Sequence, residues 1–116
     1  MANLTEQSCE ACRVGAPLAT TEEIAQWLPQ LTDWQIVNVD SIDRLTRTYQ
    51  FNNFVNALAF TNKVGELAES MGHHPALLTE WGRVTVSWWT HKIKGLHKND
   101  FICAAKTDAI YPSLSK

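Results

Sequence analysis

GHHPALLTEWGRVTVSWWT, residues 72–90, holds the pattern on which the fold turns. From Arg83 onward, Val84, Val86 and Trp88 alternate with Thr85, Ser87 and Trp89. A period of two puts one set on each face of a strand, so the spacing predicts a half-buried strand over residues 83–90. Gly82 supplies a turn, and Leu77–Trp81 reads as a shorter partner strand, which makes a hairpin. Upstream, Gly72 sits where a helix C-terminus favours glycine. Phe60, Val64, Leu67 and Met71 precede it at spacings of four, three and four, one apolar stripe of a long helix. Asn52-Asn53 offers its N-cap, and the helix is predicted to end near Ser70 or Met71. Downstream, Lys94-Gly95-Leu96 reads as a loop, and residues 98–110 as a final helix.

The N-terminal half adds a helix and a second hairpin. Thr20-Thr21-Glu22-Glu23 has capping-box spacing, with Thr20 as cap and Glu23 reaching back. That helix is expected to end near Leu31, with Pro29 marking an early stop. Trp34–Val39 and Leu45–Phe51 read as strands joined by the turn residues Asp40-Ser41-Ile42-Asp43. Leu45, Arg47, Tyr49 and Phe51 should share one face of the second strand. The order is α-β-β-α-β-β-α, which predicts an α+β fold with a four-stranded antiparallel sheet and helices packed on one face. Residues 1–17, ending at Gly15-Ala16-Pro17, are expected to be a flexible leader before a single domain over 18–112.

With 116 residues and 45% hydrophobic content, the chain suits one domain with a modest core, small enough to favour self-association. A net charge of −2 and a pI near 6.0 argue against a dedicated nucleic-acid binder. No apolar run approaches the roughly 20 residues of a membrane span, and the first residues lack the apolar core of a signal peptide. A cytoplasmic location is the expectation. Of the three cysteines, Cys9 and Cys12 form a lone C-x2-C. A closed zinc site usually needs four ligands, so the simpler reading is a pair of reduced thiols, with a metal or redox role as the alternative.

The chemistry gathers around histidine. Three of the four, His73, His74 and His91, fall within 19 positions. Histidine is the side chain whose ordinary titration lies nearest neutrality, which suits a site that must both give and take a proton. His73 and His74 follow the end of the long helix, where its dipole favours a cation. Pro75 restricts His74 to an extended conformation, so the two rings should point to opposite sides and do different jobs. His91 ends the strong strand and can flank a common pocket with one of the pair, walled by an aromatic such as Trp81 or Trp89. The competing reading is of polar surface residues at a helix end. A metal site is disfavoured, because no H-E-x-x-H is present and two rings pointing apart are poor co-ligands. No G-x-S-x-G elbow or phosphate-cradling glycine motif occurs. Arg83, Lys92, Lys94 and Lys98 cluster in sequence with His91 and His97, either as a solvated rim or as an anion-binding surface.

The run Glu69-x3-His73-His74-Pro75-x5-Trp81-x9-His91-x8-Asp100 resembles the signature of the pterin-4a-carbinolamine dehydratase family at every position over 32 residues. The wider similarity spans about residues 18–110, and Gly72 to Pro75 with Glu80-Trp81-Gly82 resembles the bacterial branch that serves phenylalanine hydroxylase. The resemblance implies a four-stranded antiparallel sheet with helices on one side. It implies homodimers or tetramers that need no metal or prosthetic group. The implied substrate is the 4a-hydroxytetrahydropterin left by an aromatic amino-acid hydroxylase, and the products are quinonoid dihydropterin and water. It implies further that His73 and His91 exchange protons as acid and base while His74 binds and orients the pterin. Pterin contacts are expected at Gly72, His73 and His74 and at Trp89, Thr90, His91 and Lys92. Glu69, Trp81 and Asp100 are expected behind them, orienting histidines or bracing loops, although Trp81 could equally be core. Animal relatives also act as dimerisation cofactors of a transcription activator, so a protein-binding module is the alternative.

Overall fold

The computed structural model describes residues 19–90, 93 and 95–111. The leader with Cys9 and Cys12, and the residues His91, Lys92 and Lys94, lie outside the described residues. Helix α1 spans Thr21–Trp27 and passes into a 3-10 turn over Leu28–Gln30. Strands β1, Gln35–Val39, and β2, Ile42–Gln50, form the first hairpin. Helix α2 spans Phe54–Met71. Strands β3, Ala76–Glu80, and β4, Arg83–Trp88, form the second hairpin, and α3 spans Lys98–Ile110.

Both predicted caps of the first two helices form. The Thr20 hydroxyl accepts from the Glu23 N–H at 3.1 Å, and the Glu23 carboxylate accepts from the Thr20 N–H at 2.9 Å. Pro29 falls inside the 3-10 turn, where the regular helix has already stopped. The Asn53 side chain caps α2 through the Asn56 N–H at 2.8 Å. One boundary moves. The first turn is two residues, Asp40-Ser41, rather than four, and both adopt positive φ, 54° and 66°. That left-handed pair matches the twist of adjoining strands, so pairing resumes at Val39 opposite Ile42.

All neighbouring strands are antiparallel in the order β1-β2-β4-β3. Since β2 and β3 each run antiparallel to β4, they run parallel to each other, and α2 carries the chain between them. Leu45, Tyr49, Val84, Val86 and Trp88 are 0–1% exposed on the covered face of the sheet. Against them lie α2 and α3, the latter burying Phe101, Ile102 and Ala104. The buried stripe of α2 is Ala57, Phe60, Val64 and Ala68. Leu67 and Met71, expected in it, are only half-buried. Two alanines take their place because a small side chain lets the helix backbone approach the sheet. On the open face the central strands meet through hydroxyls, Thr46 with Ser87 at 3.0 Å and Thr48 with Thr85 at 3.2 Å. Among the described residues no helix is long and apolar enough to cross a membrane.

Candidate active site

The site begins at the end of α2. Gly72 adopts φ 64°, ψ 29°, a left-handed conformation open to glycine at little cost. The Gly72 N–H reaches the Glu69 carbonyl at 3.3 Å and the His73 N–H reaches the Ala68 carbonyl at 3.1 Å. This pair of bonds closes the helix and turns the chain sharply. His73 is thereby directed inward, at 4% exposure, while His74 emerges to solvent.

The two rings find different carboxylates. His73 Nε2 lies 2.6 Å from Asp100 Oδ1, with both side chains nearly inaccessible. His74 Nε2 lies 2.8 Å from Glu69 Oε1, one helical turn back, and both groups are well exposed. The buried contact has the geometry of a charge-assisted bond, and the exposed one is a solvated pair. His73 is also held across its face, since its ring stacks on Trp88 at 5.7 Å between centroids and 6° between planes. The Trp88 indole N–H donates to the Thr107 hydroxyl at 3.2 Å, which ties that wall to α3.

Asp100 serves two elements at once. It is the third residue of α3, and its Oδ2 accepts from the backbone N–H of His97 at 2.8 Å. The same oxygen accepts from the Thr90 hydroxyl at 2.8 Å. Three donors from three segments therefore converge on one buried carboxylate. A negative group in the first turn is also favoured by the helix dipole.

Several expected residues stand elsewhere. His97, read as part of a basic rim, is 6% exposed and caps α3, its Nδ1 accepting from the Asn99 N–H at 3.1 Å. Arg83, assigned to the same rim, lies at the far end of β4 and pairs with Glu80 at 2.7 Å. Among the described members of that rim, Arg83 therefore stands a strand length from His97 and Lys98. Trp81 is 68% exposed, so it is not core, and it sits in the β3–β4 turn. The register pairs Ala76 with Ser87 and Glu80 with Arg83, so this turn lies at the opposite end of the hairpin from His73. Within the chain, then, Trp81 does not stand behind the histidines. Thr90, expected among the pterin contacts, is 1% exposed and spends its hydroxyl on Asp100, while its N–H donates to the Gly95 carbonyl at 2.8 Å. Trp89 faces the open side of the sheet beneath the Arg44 guanidinium, 4.0 Å above its ring. Sequence reasoning missed Trp88 and His97. The first was hidden among core positions. The second had a local signal, the three-residue spacing from His97 to Asp100 that a capping box requires.

Comparison with known proteins bears on this arrangement. Residues 17–110 match the family model described as Pterin 4 alpha carbinolamine dehydratase. A protein of Syntrophotalea carbinolica, provisionally named a pterin-4-alpha-carbinolamine dehydratase, is 66% identical over 110 residues, covering 95% of this chain and 98% of that one. A relative from Nitrosococcus oceani with the same provisional name is 58% identical, covering 95% and 97%. Among solved structures, one described as a transcriptional coactivator/pterin dehydratase from Brucella melitensis superposes with a TM-score of 0.73 at 32% identity. That likeness covers 82% of this chain and 99% of the other.

Proposed function

The chain belongs to the pterin-4a-carbinolamine dehydratase family, and on that premise we propose that it dehydrates the 4a-carbinolamine of a tetrahydropterin, recycling the cofactor of an aromatic amino-acid hydroxylase. The observation that carries this reading is the inward-turned His73, fixed at one ring nitrogen by Asp100 and across its face by Trp88. An imidazole so held is suited to directed proton transfer.

The reaction asks for one proton given and one taken. The C4a hydroxyl is protonated and its C–O bond breaks, releasing water. The N5 lone pair forms the C4a=N5 double bond, and the N5 proton passes to a base. His73 and His91 exchange these roles, and His74 beside Gly72 orients the pterin from the exposed side. The Glu69 contact with His74 supports that orienting role. The backbone at Trp89 and the Lys92 side chain complete the proposed pterin contacts. Removing one such acid or base typically costs about 100-fold to 10,000-fold in rate. The domain is assigned to residues 18–112 and its location to the cytoplasm. Two or four copies associate, a state favoured by the exposed apolar side chains Val55, Leu58 and Leu78. The scheme calls on no metal or prosthetic group.

The test generates the carbinolamine in situ with a phenylalanine hydroxylase and follows its ultraviolet decay. Wild type should accelerate the decay, and His73→Ala and His91→Ala should each lose that acceleration while remaining folded by circular dichroism. Normal activity in both variants would refute the assignment. A second reading, a protein-binding module, draws on the coactivator part of the Brucella protein's name and on Phe54, Val55 and Leu58, 44%, 74% and 43% exposed at the start of α2. It expects co-elution with the hydroxylase that Val55→Glu abolishes, and absence of co-elution by wild type ends it.

A further inference from the structure

We propose that Thr90 is a positioning residue for His73, acting through Asp100 to fix which imidazole nitrogen carries the proton. The inference rests on the dehydratase reading for its consequence in catalysis, but its geometry stands independently. A carboxylate can turn about its Cβ–Cγ bond, and a single partner on one oxygen does not stop it. Asp100 has two donors on the same oxygen, Oδ2: the Thr90 hydroxyl and the His97 backbone N–H, each at 2.8 Å. They approach from different segments, the end of the β4 region and the N-cap of α3. Together they pin the carboxylate plane and aim Oδ1 at His73 Nε2, 2.6 Å away.

An ionised carboxylate oxygen only accepts, so Nε2 is the donor. The neutral ring then bears its proton on Nε2 and its lone pair on Nδ1. The Trp88 stack restrains rotation of the ring out of that plane. Thr90 is 1% exposed and its hydroxyl is engaged by Asp100. Its backbone is fixed as well, since its N–H and carbonyl both bond Gly95. The hydroxyl is thus carried on backbone held by the Thr90–Gly95 bridge.

Thr90→Val removes the hydroxyl and keeps the shape, and Thr90→Ser keeps the hydroxyl. Long-range 1H–15N correlation spectra of the histidine rings report the tautomer directly. Wild type is expected to show His73 with its proton on Nε2. Thr90→Val should give a mixed tautomer and a kcat lower by about 10-fold to 100-fold, the usual range for a group that orients an active one. KM should change little, and Thr90→Ser should restore both readouts. A wild-type spectrum with the proton on Nδ1 overturns the proposal without any variant. A valine variant with unchanged tautomer and kcat overturns it too, as does equal loss in the valine and serine variants, which would indicate packing alone. If wild type does not accelerate carbinolamine decay while the spectra behave as expected, the dehydratase reading fails and the positioning role stands.

Discussion

Helix α3 carries two aspartates that each gather donors from other parts of the chain, Asp100 in its first turn and Asp108 in its last. Asp100 is wholly buried and holds an imidazole, a hydroxyl and a backbone N–H. Asp108 is 29% exposed and holds the Trp34 indole at 3.0 Å, the Arg47 guanidinium at 2.7 Å and the Tyr49 hydroxyl. The geometry is similar, but the partners differ in what they can do. Arginine stays charged throughout the accessible range. Tyr49 is pushed far above the ordinary phenol range, first by burial and then by its bond to Asp108 and that carboxylate's charge. Indole N–H does not titrate. The Asp108 cluster therefore holds no group able to exchange a proton near neutrality, and its effect is to fasten α3 to β2 and Trp34. Asp100 has among its partners the one side chain type that does exchange there. A carboxylate that gathers donors is thus no mark of chemistry by itself, and the titration range of its partners makes the difference.

The two aspartates separate under substitution. Asp108→Ala should produce the largest effect on stability, a loss of about 2–4 kcal/mol in urea unfolding. The figure lies slightly below the range for breaking a buried ion pair. Asp33, 3.4 Å from Arg47, and the partial exposure of Asp108 soften the loss. Dehydratase activity per folded molecule should not change. Lost activity at unchanged stability would break the comparison from this side. Asp100→Asn should do the reverse. The amide would present N–H to His73 Nε2 and force the proton to the other nitrogen, lowering activity on the order of 100-fold, with a stability cost of about 1 kcal/mol from the weakened cap. A variant that unfolds before it loses activity would place Asp100 with Asp108 as structural.

The two clusters also differ in how far they could be read from the sequence. Features set by three or four neighbouring residues were legible: the Thr20–Glu23 box, the Asn53 cap, the Gly72 stop and the alternation through Val84, Val86 and Trp88. The divergence of His73 from His74 followed from Pro75. The Asp40-Ser41 turn was placed two residues too long because both positions take positive φ without the glycine that usually signals it. The partners of Asp108 lie 59 to 74 positions away, and no local spacing joins them. Asp100 entered only through the family signature. Its bond to His73 spans 27 positions and depends on α3 starting beside the end of α2. His97 was misread because histidine is a less familiar cap than serine or aspartate.

The alkaline limb sharpens the comparison next. Tyr49 in the folded protein binds its proton well beyond the value near 10 of an unfolded chain. A folded-state pKa above the unfolded one gives stability that is present below about pH 10 and lost as pH rises beyond it, because the unfolded chain then ionises first. At pH 8, Tyr49→Phe should cost about 1 kcal/mol for the lost hydrogen bond. Each pH unit above 10 takes about 1.4 kcal/mol from wild type but not from the variant, so their stabilities should cross near pH 11. A difference that stays flat with pH would mean Tyr49 ionises freely when folded, and the Asp108 cluster would not be the inert clamp described.

The smallest expected effect isolates burial from chemistry. Glu80 and Arg83 form a carboxylate–guanidinium contact as short as that of Asp108 and Arg47, with Nε to Oε1 at 2.7 Å and Nη2 to Oε2 at 3.1 Å. The Arg83 hydrogen bond holds the Glu80 carboxyl below the usual range. Both side chains face solvent at the hairpin turn, with 38% and 56% exposed. Water can replace each partner there, and holding two long side chains in one geometry costs entropy that offsets the attraction. Glu80→Gln should therefore leave the urea midpoint and the activity unchanged within error. If it instead destabilised as much as Asp108→Ala, contact geometry alone would set the strength of these pairs.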